Sequence, residues 1–402
     1  MRILFYLPVV TELWFDHVLA PLIRAAAKDA EVHVIVPPLW SMTGITARQL
    51  AGCADLTEVH WHILDGEDHP SYRMTPAAPA ALVDFVERID PDYTFCRSAD
   101  VTTPGRFPGQ VRYLMEGGFP PLPPDGAPRW GYAMVQGPNL FDHGFLPDLD
   151  ERRSAWLDEQ IAPVWNILQA RYHHVGDRRS YLAEAGLPTD RKIIAVPLEY
   201  DAPDNFFDKV HSVDASNDRF VATLANQIDD DFLLAVTIHP VQEKVRSAVV
   251  DRIAAMDRNK VRIVRAPGDG AGGVTRLLIQ HCDGVVLRDS KSFVNAAFFG
   301  KPLLRLSRFA SADWLRAYTD VPTFLKALRS GTARSADDAD VRTWFAYHYA
   351  NNAFPVGDPD MTLADLLDRA NRPCNPARWQ AHLDRHRACF DAWIASHALE
   401  PA

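Results

Sequence analysis

Five cysteines in 402 residues, none in a CxxC pair, leave nothing with which to build a disulfide framework or a thiolate zinc site. Positive charge is in deficit: 42 Lys and Arg stand against 52 Asp and Glu, a net charge of −10. That balance argues against a nucleic-acid partner, which demands a broad basic surface, but leaves room for one local basic pocket holding a small anion. No apolar run is long enough to span a bilayer. The opening MRILFYLPVV is short, carries one Arg and lacks a small-residue cleavage site, so it reads as the first buried strand of a cytoplasmic protein. Several signatures are missing as well: no GxGxxG follows the first strand, and no GxxxxGK[ST], GxSxG or HExxH occurs. The glycine-rich GDGAGG at 268–273 lacks the Lys-Ser/Thr of a phosphate loop and reads as a plain loop. The run Asp229-Asp230-Asp231 reads as a solvated turn before a strand rather than a metal-binding DxD, and no metal cluster is expected.

What is present is alternation. Residues 2–8 are continuously apolar, Trp14–Ala27 has helical periodicity, and Glu31–Val36 is β-branched; Val59–Leu64 and Tyr93–Cys96 follow as strands with a helix over Ala78–Arg88 between them. From Gly118 to Pro147 proline and glycine are dense, and the aromatic content there points to a long ordered loop. Leu149–Ala185 reads as a long helix interrupted near Pro163. A second alternation starts at Lys192, with strands at 193–198, 232–238, 261–264, 284–287 and 302–306 and helices between them. Single cores stop growing near roughly 250 residues, so two domains are expected. Right-handed βαβ units make each a doubly wound, Rossmann-like α/β sheet. The tail after Ala310 is expected to be helical, with Trp314, Trp344, Trp379 and Trp393 as packing anchors.

Two segments carry chemistry. Thr237-Ile238-His239-Pro240 lies at the carboxyl end of a buried strand, where open α/β sheets bind ligands, and Pro240 stiffens the exit. His239 there serves either a phosphate or leaving group, or the cap of the next helix. In RDSKSFVNAAFFGKPLL, residues 288–304, the strand ends before Arg288. Ser290 or Ser292 then caps a helix, and backbone N–H groups, hydroxyls, Arg288 and Lys291 converge on a spot suited to an anion. Ordinary capping is the alternative.

The strand–HP–helix segment followed by Asp289-Ser290-x-Ser292 and a Gly-Lys-Pro resembles the C-terminal domain of GT-B glycosyltransferases. Within that fold it is similar to the capsule polysaccharide biosynthesis group, which includes Kdo transferases and bacterial polysialyltransferases. IIAVPLEYDAPDNFF (193–207), Leu114–Gly118 and Gly137-Pro138-Asn139 resemble further segments of that group, over about residues 110–310 in all. Glu199 stands where the group has Gln, and Lys291 displaces a Ser/Thr, which leaves the donor sugar open.

The resemblance implies two Rossmann-like domains facing a cleft, with C-terminal helices. Residues 1–150 would form the acceptor-side domain, 151–188 a helical linker, 189–310 the nucleotide-sugar domain, and 311–402 a helical region packing partly back on the first domain. It implies an inverting, metal-independent glycosyltransferase with no cofactor beyond a CMP- or UDP-linked sugar, Kdo or another acidic sugar among the candidates. The acceptor would be a glycan or glycolipid, with contact at the inner membrane face left open. His239, Pro240 and the 288–292 run (Arg288, Asp289, Ser290, Lys291, Ser292) would hold the donor phosphates, and Glu199 its ribose or base. Glu116 is the leading candidate for general base, and Asp16 and His17 compete with it; Asp142-His143 is a further candidate. Two other readings remain: a nucleotide-sugar 2-epimerase, which needs no acceptor, and a non-catalytic domain of the same fold that binds a sugar or a partner protein.

Overall fold

The computed structural model describes residues 1–39, 44–64, 76, 78–99, 102–116, 132–136, 143–173, 177–201, 216–239, 242, 248–265, 273–355, 360–370 and 376–397. Among these, seven strands form one sheet and five form another. The first contains β1 (Arg2–Tyr6), β2 (Glu31–Val36), β3 (His60–Ile63), β4 (Tyr93–Cys96), β5 (Gln110–Glu116), β6 (Tyr132–Gln136) and β12 (Ala353–Pro355), in the order β12-β6-β5-β4-β1-β2-β3. The second contains β7 (Lys192–Pro197), β8 (Phe232–Thr237), β9 (Val261–Ile263), β10 (Gly284–Leu287) and β11 (Leu303–Arg305), in the order β11-β10-β7-β8-β9.

Taken in chain order, the parallel strands of both sheets run 3-2-1-4-5, the Rossmann arrangement. Each sheet therefore has one switch point where consecutive crossovers leave in opposite directions: between β1 and β4 in the first, and between β7 and β10 in the second. β6 and β12 extend the first sheet with antiparallel pairings, to β5 and to β6 respectively.

The central strands are apolar on both faces because both faces are covered. In β7, Ile193 and Ala195 join the core that contains the helices Glu151–His173, Val274–His281 and Asp338–Asn351, while Ile194 and Val196 join the core under Asn217–Ala225 and Val321–Ser330. In β1, Ile3 and Phe5 pack with the helix Ala20–Ala27, and Leu4 and Tyr6 with the helix Pro79–Ile89. This is the two-residue period of a strand read out on opposite faces.

Three expectations need correction. The Gly118–Pro147 stretch is not one loop, since β6 lies inside it. The helix Glu151–His173 runs through Pro163 without breaking. Pro163 and Glu159, whose carbonyl loses its donor, are both exposed, so the missing bond falls at solvent-exposed positions of the helix. The next helix, Arg178–Glu184, starts afresh, with Asp177 Oδ1 accepting the Ser180 N–H at 2.9 Å. The first helix is also not uniform: Phe15–Leu19 is a π-helical segment between Glu12–Trp14 and Ala20–Ala27.

After the second sheet the chain crosses back. The helix Asp338–Asn351 packs on Glu151–His173, with Arg342 Nε donating to Asp158 Oδ1 at 2.6 Å and Trp165 Nε1 to Asp338 Oδ1 at 3.0 Å. β12 then joins the first sheet, and the helix Leu363–Ala370 lies on Ala20–Ala27. Trp344 and Trp379 are buried and Trp314 partly so; the side chain of Trp393 lies outside the described part. No helix among the described residues is long and apolar enough to cross a membrane.

Candidate functional site

The carboxyl edge of the second sheet gathers residues far apart in sequence. β7, β8 and β10 are adjacent and parallel, so the segments leaving them, at Glu199, His239 and Arg288–Ser292, emerge side by side. Glu199 spans the switch point. Its Oε1 accepts the Asp289 N–H at 2.6 Å, and its Oε2 lies 3.7 Å from Arg288 Nη2. Burial pushes its carboxyl pKa up, while Arg288 pulls it down.

Arg288 is buried. It donates to Asn217 Oδ1, and its guanidinium lies over the Phe220 ring at 4.8 Å. Asp289 is likewise turned inward, accepting Arg305 Nη2 at 2.9 Å and the Ser307 hydroxyl. Its carboxyl is raised by burial against the pull of Ser307 and Arg305. Arg305 also donates to the Arg288 carbonyl at 3.1 Å and to Ala310 O. Glu199, Arg288 and Asp289 thus spend their charges on one another and on Asn217, Arg305 and Ser307. They build the floor of the edge.

The side chains left half-exposed on that floor are His239, Ser290, Lys291 and Ser292. His239 lies 5.6 Å from the Tyr200 ring, centroid to centroid. Its carbonyl accepts the Gln242 N–H at 2.9 Å, closing the turn. Gln242 is buried and clamps that turn to the loop after β7: Nε2 donates to Asp201 O at 2.6 Å, and Oε1 accepts the Asp201 N–H at 3.2 Å. Pro240 lies outside the described residues.

Ser292 occupies the N-cap position of the helix Phe293–Phe298, yet its side chain makes no capping bond. The Ser290 hydroxyl instead accepts the Ser292 N–H at 3.3 Å and meets the Ser292 hydroxyl at 3.1 Å. The two hydroxyls form a pair rather than a cap.

At the first sheet, Glu116 is the last residue of β5, paired with Ala133 at the carboxyl edge; its side chain lies outside the described part. Asp16 and His17 fall in the π-helical segment. Asp16 accepts Arg48 Nη2 at 2.8 Å and Gln49 Nε2 at 3.3 Å, while His17 is exposed. Asp142 lies outside the described residues. His143 is buried, stacked 4.2 Å from the Phe293 ring, with Nε2 donating to Asp289 O at 3.3 Å. Burial and then the nearby Arg305 hold its pKa well below the usual range, so it is a neutral packing residue.

Sequence reasoning missed Asn217, Gln242, Arg305 and Ser307, which carry no motif and are joined to the site only by folding. At the switch point of the first sheet the chain leaves β4 through Arg97 and Ser98. Arg97 lies over the Trp14 ring at 4.2 Å, and Ser98 adopts φ +53°, a left-handed backbone that is uncommon outside glycine.

No family model matches the sequence, and no curated protein matches it. Among solved structures, the chain is similar to the β-Kdo 2,7-transferase KpsC of Thermosulfurimonas dismutans, at 11% identity over 86% of this chain and 97% of that one, with a TM-score of 0.44. It is similar to UDP-GlcNAc 2-epimerase of Methanocaldococcus jannaschii, at 10% identity over 86% and 98%, TM-score 0.34. It is also similar to the E. coli ADP-heptose LPS heptosyltransferase II, at 14% identity over 96% and 100%, TM-score 0.24. Similarities this distant bear on neither activity nor substrate; the fold rests on the strand order above.

Proposed function

We propose that the protein is a glycosyltransferase of the GT-B type that moves a sugar from a nucleotide donor, CMP- or UDP-linked, to a glycan or glycolipid acceptor. The observation that carries this reading is the convergence of His239 and the Ser290–Ser292 hydroxyl pair on one carboxyl edge, beside a switch point whose own charges are already paired. Ligands of doubly wound sheets bind there.

In this reading the nucleotide leaves as an anion. His239 and the two hydroxyls are held by a stiff floor, so they meet the developing charge without reorganising. Lys291 adds positive charge at the rim. The acceptor hydroxyl is deprotonated from the first domain. Glu116 suits that role better than Asp16, whose carboxylate is committed to Arg48 and Gln49. A single displacement inverts the anomeric centre. The resemblance noted in the sequence supports an acidic sugar such as Kdo and a place in surface polysaccharide synthesis.

The test is nucleotide release from CMP-Kdo and from UDP-hexoses, with and without a glycan acceptor pool. Wild type releases nucleotide from one donor class, faster with acceptor, and His239→Ala loses at least about a hundredfold. Unchanged turnover in His239→Ala sinks the proposed role of this residue. Conversion of the donor sugar without an acceptor would make the protein an epimerase instead.

A further inference from the structure

At the amino edge of the first sheet, β2 and β3 bring four side chains together. Glu31 and His33 are two apart on β2, hence on one face, and so are His60 and His62 on β3. The parallel register places His33 directly beside His60. One ligand atom each from Glu31, His33 and His60 lies within 4.8 Å of the other two. We propose that Glu31, His33 and His60 bind a divalent transition-metal ion of the zinc class, with His62 orienting His33.

The donor set selects the ion. Two imidazoles and one carboxylate suit Zn²⁺, Ni²⁺ or Cu²⁺, whereas Ca²⁺ and Mg²⁺ prefer a shell of oxygens. The spacing is close to what such an ion imposes. Bonds of about 2.0–2.1 Å in a tetrahedron put ligand atoms roughly 3.3 Å apart, and Glu31 Oε1 lies 3.0 Å from His33 Nε2. An ion between those atoms replaces the proton they now share. His60 already stacks on His33, with ring centroids 4.6 Å apart, and it is exposed, so its ring can turn the remaining distance.

The surroundings are those of a positioned ligand. Metal-bound histidines normally donate the other ring N–H to a fixed acceptor. His33 Nδ1 lies 3.0 Å from His62 Nε2, and His62 is held in turn against the edge of the Phe85 ring at 5.1 Å. His33 itself is only 9% exposed, on a strand whose position sheet hydrogen bonds fix. Arg2 Nε pairs with Glu31 Oε2 at 3.3 Å, which leaves Oε1 for the ion while lowering the local negative charge. Three protein ligands leave a fourth position for water. Among the described residues β3 is the edge strand of its sheet, so the ion would clip an edge strand to its neighbour, away from the nucleotide site.

The experiment uses the full chain without a histidine tag, stripped with chelator and dialysed. Zn²⁺ is titrated by calorimetry, Co²⁺ by visible absorption, and melting is followed with and without Zn²⁺. The expected result is one saturable equivalent, intense Co²⁺ bands of a four-coordinate site, and a raised melting temperature. His60→Ala and Glu31→Gln, both at exposed positions, weaken binding at least tenfold while melting normally without metal. His62→Phe, which removes only the orienting bond, weakens it roughly ten- to hundredfold. His239→Ala binds as wild type does. Absence of saturable binding in wild type, or affinity unchanged in both His60→Ala and Glu31→Gln, overturns the proposal and leaves the cluster a hydrogen-bonded relay. Because the readout is metal binding rather than turnover, its failure is independent of the nucleotide reading.

Discussion

Asp289 and Arg305 lose nearly all contact with water on folding, with side chains 1% and 2% exposed. A buried ion pair adds little net stability, but breaking it by removing one partner costs about 3–5 kcal/mol, because a charge is left behind. Arg305→Met should therefore lower unfolding stability by that amount in urea, and shift Asp289 further toward its neutral form. A loss below about 1 kcal/mol would mean that water or Ser307 replaces the guanidinium. At this scale the position of His239 and Ser290–Ser292 just past strand ends is legible in the sequence, since a buried apolar run stops before each. Glu199, Arg288 and Asp289 lie past strand ends too, but their inward orientation is not readable from the sequence. Whether a charge at a strand end points to ligand or to its neighbour depends on Asn217, Ser307 and Arg305, which only folding brings near.

Among the elements, the helix Trp379–His397 carries the clearest pH sensitivity. His386 is fully buried on it, donating to Ala353 O at 3.3 Å, with its ring against Tyr349. Burial, and then Arg369, push its pKa down to about 3. The unfolded chain takes up a proton near pH 6.5 that the folded chain refuses until about pH 3. Stability from this residue is thus full above pH 6.5 and falls as pH drops through that window, by an amount on the order of a few kcal/mol. Urea midpoints at pH 7 and pH 4.5 should separate more for wild type than for His386→Leu. Equal pH dependence would show that the folded protein opens this helix to solvent. The central strands, such as β1, β7 and β8, are legible because strands buried on both faces are continuously apolar. β6 was hidden among prolines and glycines. β12 has three residues and takes its strand geometry from pairing with β6 rather than from its own sequence. The metal-ligand cluster was invisible for a related reason: its ligands alternate with apolar residues on two strands that only the sheet register aligns.

Over the whole molecule, the same 3-2-1-4-5 order appears twice, and the chain after Asp338 returns to complete the first sheet. Two switch points result. The one in the second sheet is floored by paired charges and topped by His239 and two serines; the one in the first sheet is flanked by Arg97 and Ser98. The former edge is the one proposed to hold nucleotide phosphate. The most direct measurement is a thermal-shift panel of CMP, CDP, UMP, UDP, GDP and ADP on wild type and His239→Ala, since a ligand bound only by the folded state raises its melting temperature. Cytidine or uridine nucleotides should raise the melting temperature of wild type, and His239→Ala should lose most of that shift. No shift with any nucleotide, or an equal shift in the variant, would contradict nucleotide binding at this edge.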